Sequence, residues 1–172
     1  MNTHPLLAGL TVLLGCSGPS GPTAPGSPIT ATSPITAVVN GKSWSLTTLR
    51  GDTIGDLATT PLTFEVGGLD STASERATLR VIIGNLVGTG TYTIGGFSSP
   101  AQGTYAVLSP PGDPYIETIP YQTDQTHVGS IHIESLDTVA HFVAGTFEFQ
   151  AAFGNQTVTI TGGRFRGHFI KL

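Results

Sequence analysis

The chain has 172 residues, with 23 Gly, 12 Pro and 26 Thr but one Cys, one Met and one Trp. Charged residues make up 10%, against roughly 25% in an average soluble domain. A formal net charge of −4 on seven Lys+Arg excludes a nucleic-acid partner, because nothing here neutralises a run of phosphates. A single Cys excludes an intramolecular disulfide framework and any cysteine-based zinc finger.

The chain opens on a short apolar run, Pro5 to Leu14, reading P-L-L-A-G-L-T-V-L-L. Crossing a bilayer of ~30 Å as a helix takes about 20 residues, so this run is too short to span and has the length of a signal-peptide core. It ends in Leu13-Leu14-Gly15-Cys16, which resembles a bacterial lipobox: a branched apolar residue three places before the cysteine and a small one just before it. The resemblance implies a signal peptide over 1–15 and a mature chain beginning at Cys16. Cys16 would then carry the acyl chains on its thiol and its new amino terminus. Several chains anchor stably where one binds only marginally.

Residues 16–34 follow as a tether. Ser17 to Pro34 holds five Pro, three Gly, four Ser, three Thr, two Ala and one Ile, with no charge. Such a stretch cannot bury enough apolar surface to offset its ordering entropy. A near-perfect tandem, S-P-I-T-A-T then S-P-I-T-A-V, occupies Ser27–Thr32 and Ser33–Val38, the second copy leading into the folded part. At ~3.1 Å per residue the tether reaches about 55 Å at most.

The remainder, 35–172, reads as one all-β domain. Short β-rich runs between Gly, Pro, Asn and Asp dominate, and no helical periodicity is sustained. Ile35–Val39 alternates Ile35, Ala37 and Val39 inward. Asn40-Gly41 is a type I′ hairpin signal, and Lys42–Leu49 returns with Trp44 and Leu46 on one face. Further strands are predicted at Leu62–Val66, Ala77–Leu86, Thr91–Ile94, Thr104–Leu108 and Ile116–Gln122. Val81-Ile82-Ile83, apolar on both faces, predicts a central strand covered on both sides.

The last forty residues allow a register to be drawn. Gly154-Asn155 turns a hairpin between Phe142–Phe153 and Gln156–Ile170, setting Ala151 opposite Val158 and Phe149 opposite Ile160. Beyond Gly162-Gly163 the apolar parity flips to Phe165 and Phe169. One extra residue at the glycine pair, a β-bulge, restores the match and puts Phe165 opposite Gly145. The outer face then carries Glu148, Gln150, Thr161, Arg164 and Arg166. Nine or ten such strands on short turns predict an antiparallel β-sandwich or flattened barrel. A domain of this size buries roughly two-thirds of its surface and needs no disulfide.

Four stretches, A-V-V-N-G-K-S-W at 37–44, G-T-Y at 90–92, A-G-T-F-E-F at 144–149 and T-I-T-G-G-R-F at 159–165, resemble a family of small all-β bacterial lipoprotein domains of unknown function. The resemblance implies a fold and an address in the cell envelope, and no catalytic residues.

Candidate chemistry is sparse. His132 and Glu134 lie two apart on a strand and face the same way, opposite Ile131 and Ile133. They read first as a solvated outer face; with His127, His141 or His168 they would offer zinc a His/carboxylate site. Asp52, Asp56, Glu65, Asp70 and Glu75 form an acidic cluster in a region read as loop-rich, 50–75, where oxygen ligands suit calcium; the spacing is not that of an EF-hand. Tyr92, Tyr105, Tyr115 and Tyr121 are either half-buried core or the lining of a glycan- or peptide-binding groove. Gly41-Lys42-Ser43 ends like a phosphate loop, but position 36 is Thr where that loop needs Gly. Asn155-Gln156-Thr157 is a formal glycosylation sequon, and no G-x-S-x-G elbow is present.

The expectation is therefore an envelope lipoprotein, lipid-anchored to a membrane, with a non-catalytic binding or adaptor module for a protein or glycan ligand and no cofactor. Two alternatives stay open. One is a metal-dependent hydrolase using the His132/Glu134 face or the 52–75 acidic region. The other is a structural envelope protein that self-associates through Thr-rich strand edges.

Overall fold

The computed structural model describes residues 33–47, 53–59, 62–71, 76–108 and 119–172. The signal peptide, Cys16, nearly all of the tether, Asp52, Glu75 and Tyr115 lie outside these residues.

Eleven strands occur among the described residues, and no helix. They are β1 (Ile35–Val39), β2 (Lys42–Ser45), β3 (Thr53–Thr59), β4 (Leu62–Asp70), β5 (Ala77–Gly84), β6 (Gly90–Ile94), β7 (Ala101–Val107), β8 (Ile119–Gln122), β9 (Gly129–Asp137), β10 (Phe142–Phe153) and β11 (Gln156–Lys171). They form one sheet in the order β2-β1-β11-β3-β4-β5-β7-β6-β9-β10-β8. Further pairings of β10 with β11 and of β8 with β7 make the sheet ring-like. The expected all-β class holds, with one or two more strands than the sequence suggested. The sheet is mixed rather than antiparallel throughout: β3 runs parallel to β11, and β6 meets β7 in parallel at Ile94 and Ala101.

β3 was not anticipated, and the reason is local. Its buried residues are Ile54 and Leu57, three apart, because the pairing with β11 slips between His168 and Phe169. The alternation that marks a strand is thereby lost. The predicted strand at Leu62–Val66 falls within β4, and the region read as loop-rich around it is instead a β3–β4 hairpin with Asp56 opposite Glu65. On β5, Val81 and Ile83 are buried but Ile82 is only half-buried, so the strand is central without being covered on its outer face.

The β10–β11 hairpin has the register read from the sequence. Ala151 pairs with Val158, Phe149 with Ile160 and Gly145 with Phe165, with the shift between Phe147 and Phe149. Gly162, at φ +58°, takes up the extra residue; a side chain would be strained there. Gly154 at φ +60° opens the turn, and Asn40 (+47°) with Gly41 (+80°) gives the two positive angles of a type I′ turn.

The inward set is one continuous core. Phe64, Phe147, Phe149, Phe165 and Phe169 meet with ring centroids 6.2–6.4 Å apart. Trp44 is buried with its indole N–H donated to the Ala77 carbonyl at 3.2 Å. Asp70, also buried, accepts the Ser45 N–H at 3.0 Å, and Thr47 N–H donates to Leu69 O at 2.9 Å. These bonds cover the outer edge of β2, a place where a strand-edge association would otherwise start.

A Cβ on Gly145 would lie 2.6 Å from Phe165 Cζ and run into the His132 carbonyl. Gly145→Val is expected to destabilise the domain by about 1–3 kcal/mol through overpacking, with Thr161→Val on the exposed face nearly silent. Denaturant unfolding of both variants checks the register; equal midpoints contradict it.

Candidate functional site

Register places the outward side chains of neighbouring strands in rows. Thr36 (β1), Arg164 (β11), Thr146 (β10), His132 (β9) and Thr91 (β6) form one such row across five strands. His132 Nδ1 lies 2.9 Å from Thr91 Oγ1. The next row brings Ser130 opposite Glu148. Between these rows the bulge sets Gly162, where an outward side chain would otherwise stand, beside the inward-facing Gly163. The result is an open depression of about 330 Å³ lined by Ser130, His132, Thr146, Glu148 and Arg164 over the backbone of Phe147, Gly162 and Gly163. Among the described residues neither Glu148 nor Arg164 takes part in an ion pair. A guanidinium, a carboxylate, an imidazole and hydroxyls thus face solvent together, donors and acceptors suited to hydrogen-bonding a polar ligand.

His132 and Glu134 are exposed on one face while Ile131 and Ile133 are fully buried, as the alternation predicted. The other histidines do not join them. His141 and His168 pack on Phe169 and Phe142, each with centroids 5.6 Å apart. His127 is held by Asp124. Among the described residues no three His, Cys, Asp or Glu side chains gather to hold a metal ion. The acidic residues are likewise dispersed: Glu65 binds Arg80, and Asp70 is tied to Ser45. Read as a calcium loop, this region is corrected by its own geometry, since Asp56, Glu65 and Asp70 sit on strands.

Tyr92, Tyr105 and Tyr121 are all buried. Tyr92 O–H donates to Gly88 O at 2.7 Å and accepts the Val87 N–H at 3.2 Å, which pins the connection between β5 and β6. Tyr105 and Tyr121 pair across β7 and β8 with rings 6.2 Å apart, and Tyr121 O–H donates to Gln156 Oε1 at 2.8 Å.

One arrangement had no signal in the sequence. Asp124 Oδ1 accepts the backbone N–H groups of Thr126 and His127, both at 2.7 Å, and its carboxylate meets His127 Nδ1 at 2.9 Å. His127 Nε2 lies 3.4 Å from Thr157 Oγ1. With its proton on Nδ1 the imidazole donates to Asp124 and accepts from Thr157, so the 123–128 strap is fastened to β11. The spacing D-x-x-H carries no hint of this, because Thr157 is thirty residues away.

Comparison with known protein families, curated proteins and solved structures finds no match to this chain, which leaves its function to be argued from its own residues.

The His127 backbone N–H, then its imidazole and the Thr126 amide, hold the Asp124 carboxyl well below the ordinary carboxylate range. A carboxyl depressed in the folded state contributes stability that is present above its unfolded value, about pH 4, and lost as pH falls through the folded one. Asp124→Ala should therefore melt earlier than wild type near neutrality, with the gap closing at pH values below about 4. Thermal melts across that range check it, and a gap that widens on acidification contradicts the fastening.

Proposed function

We propose that the chain is a bacterial envelope lipoprotein, held to a membrane by acyl chains on Cys16, whose all-β domain is a non-catalytic binding or adaptor module. The observation that carries this reading is the apolar run ending in Leu13-Leu14-Gly15-Cys16, followed at once by an uncharged Pro/Gly/Ser/Thr tether. A ten-residue apolar run followed by an unfoldable stretch has no use as core, and the only thiol of the chain stands where an acyl anchor belongs. The outer-face depression supports a binding role. Its floor is backbone, and its walls offer Arg164, His132 and Glu148 with the hydroxyls of Ser130 and Thr146. Such a surface fits a polyhydroxylated or dipolar ligand, whose groups both donate and accept.

Cys16→Ser removes the only thiol while leaving 35–172 unchanged. The variant is expected to stay folded and lose its membrane association, while the wild type fractionates with membranes and has a mature mass beginning at an acylated Cys16. A soluble wild type with unmodified Met1, or a serine variant retained in membranes, overturns the anchor. Stoichiometric zinc or calcium in the purified protein would instead favour a metal-dependent hydrolase.

A further inference from the structure

Four segments of the ring converge on one rim. Leu172 N–H donates to Leu57 O at 3.0 Å, fixing the end of β11 against β3. The β3–β4 hairpin closes at Thr59 and Leu62 just beyond. Leu86 N–H donates to Leu62 O at 3.1 Å, which holds the β5–β6 connection there. Phe169 N–H donates to His141 O at 2.9 Å, which holds the β9–β10 turn at the same end of β11. Each segment exposes aliphatic surface: Val139 is 91% exposed, Val87 89% and Leu172 70%, with Ile170 and Leu62 also open. Side chains of this type seldom stand together in solvent unless a protein or a membrane meets them.

The place where the chain enters the domain favours the membrane. β1 runs antiparallel to β11 with Ile35 opposite Phe165, and Arg166 N–H donates to Pro34 O at 2.9 Å. Pro34 therefore lies along β11, and the chain enters β1 from the side of this rim. The charges nearby are Lys171, Asp56 opposite Ile170, and Asp137, whose carboxylate is turned into its own loop and accepts the Val139 and Ala140 N–H groups at 2.8 Å. With so little charge there, the contact is carried by the aliphatic side chains.

We propose that this rim, Leu62, Val87, Val139, Ile170 and Leu172, is the domain's contact with the lipid surface. The proposal rests on the acyl anchor argued above and adds an orientation to it. A short tether raises the effective concentration of lipid at the rim to the millimolar range, so shallow insertion of a few aliphatic side chains suffices. The outer-face depression then faces sideways along the membrane, and the opposite rim, with the Asn40-Gly41 and Gly154-Asn155 turns, faces away from it.

The test uses the full-length acylated chain on vesicles of phosphatidylethanolamine and phosphatidylglycerol containing nitroxide-labelled lipid. Because Cys16 is the only cysteine, acylation leaves no other thiol, and Val139→Cys, Val87→Cys and Asn155→Cys each supply one for an environment-sensitive fluorophore. All three positions are exposed, so folding is preserved; Asn155 lies in the β10–β11 turn on the opposite rim. Labels at 139 and 87 are expected to be quenched several-fold more than the label at 155. Equal quenching at all three, or quenching at 155 alone, overturns the orientation while leaving the anchor intact. A chain that does not float with the vesicles removes the anchor, and the orientation with it.

Discussion

The interior of the ring is filled by phenylalanines that fit only because glycines stand opposite them. Phe165 sits over Gly145, its partner across the β10–β11 ladder, and Phe147 over Gly163, where an added Cβ would come within 2.5 Å of the ring. Phe149 pairs with Gly129 and also reaches across to Gly103, 2.8 Å from where a Cβ would stand. A closed sheet has a fixed internal width, so a large side chain on one strand demands a missing one on its neighbour. Glycine lowers the intrinsic strand preference of β10 and β11. The aromatic burial it permits, 150–250 Å² for each such ring, outweighs that loss.

The same constraint shapes the outside. Keeping Phe165 and Phe169 inward after Val158 and Ile160 requires the strand to gain one residue, and that residue is Gly162. The bulge that repairs the core parity also leaves the outer surface without a side chain at Gly162, between Thr161 and Arg164. The depression among Ser130, His132, Glu148 and Arg164 is therefore a by-product of core packing as much as a feature of the surface. Substituting Gly162 or Gly163 would disturb both faces together, which couples the candidate site to the stability of the domain.

What the sequence made legible follows from distance along the chain. The β10–β11 hairpin is local: a two-residue turn, alternation on both arms and one parity flip fix its register without reference to anything else. The pairing of β3 with β11 joins residues more than a hundred apart, and Ile54 and Leu57 break the alternation that would have revealed the strand. The sequence placed His132, Glu148 and Arg164 outward, but their gathering into one site also needed the β9–β10 register, which no turn residue specifies. Asp70 escapes a sequence reading for a similar reason. It looks like one carboxylate in an acidic loop, yet it is buried on β4 and bonded to a backbone N–H of a strand twenty-five residues earlier.

Scarcity of charge makes the remaining charges informative. Charged residues are only 10% of the chain, and most of the described carboxylates are absorbed by the architecture itself. Glu65 and Arg80 bridge β4 and β5, Asp70 covers the edge of β2, Asp124 fastens the strap, and Asp137 shapes the β9–β10 turn. An exposed ion pair contributes little to stability, and these carboxylates mostly bond to backbone N–H groups, where a carboxylate does more. Glu148 and Arg164 do neither, although they stand on adjacent strands beside His132 and two hydroxyls. On a Thr-rich surface a solvated position is readily filled without charge. Two opposite charges held apart across a gap in the side chains, with neither joined to the other, are more naturally matched by a ligand than by the fold.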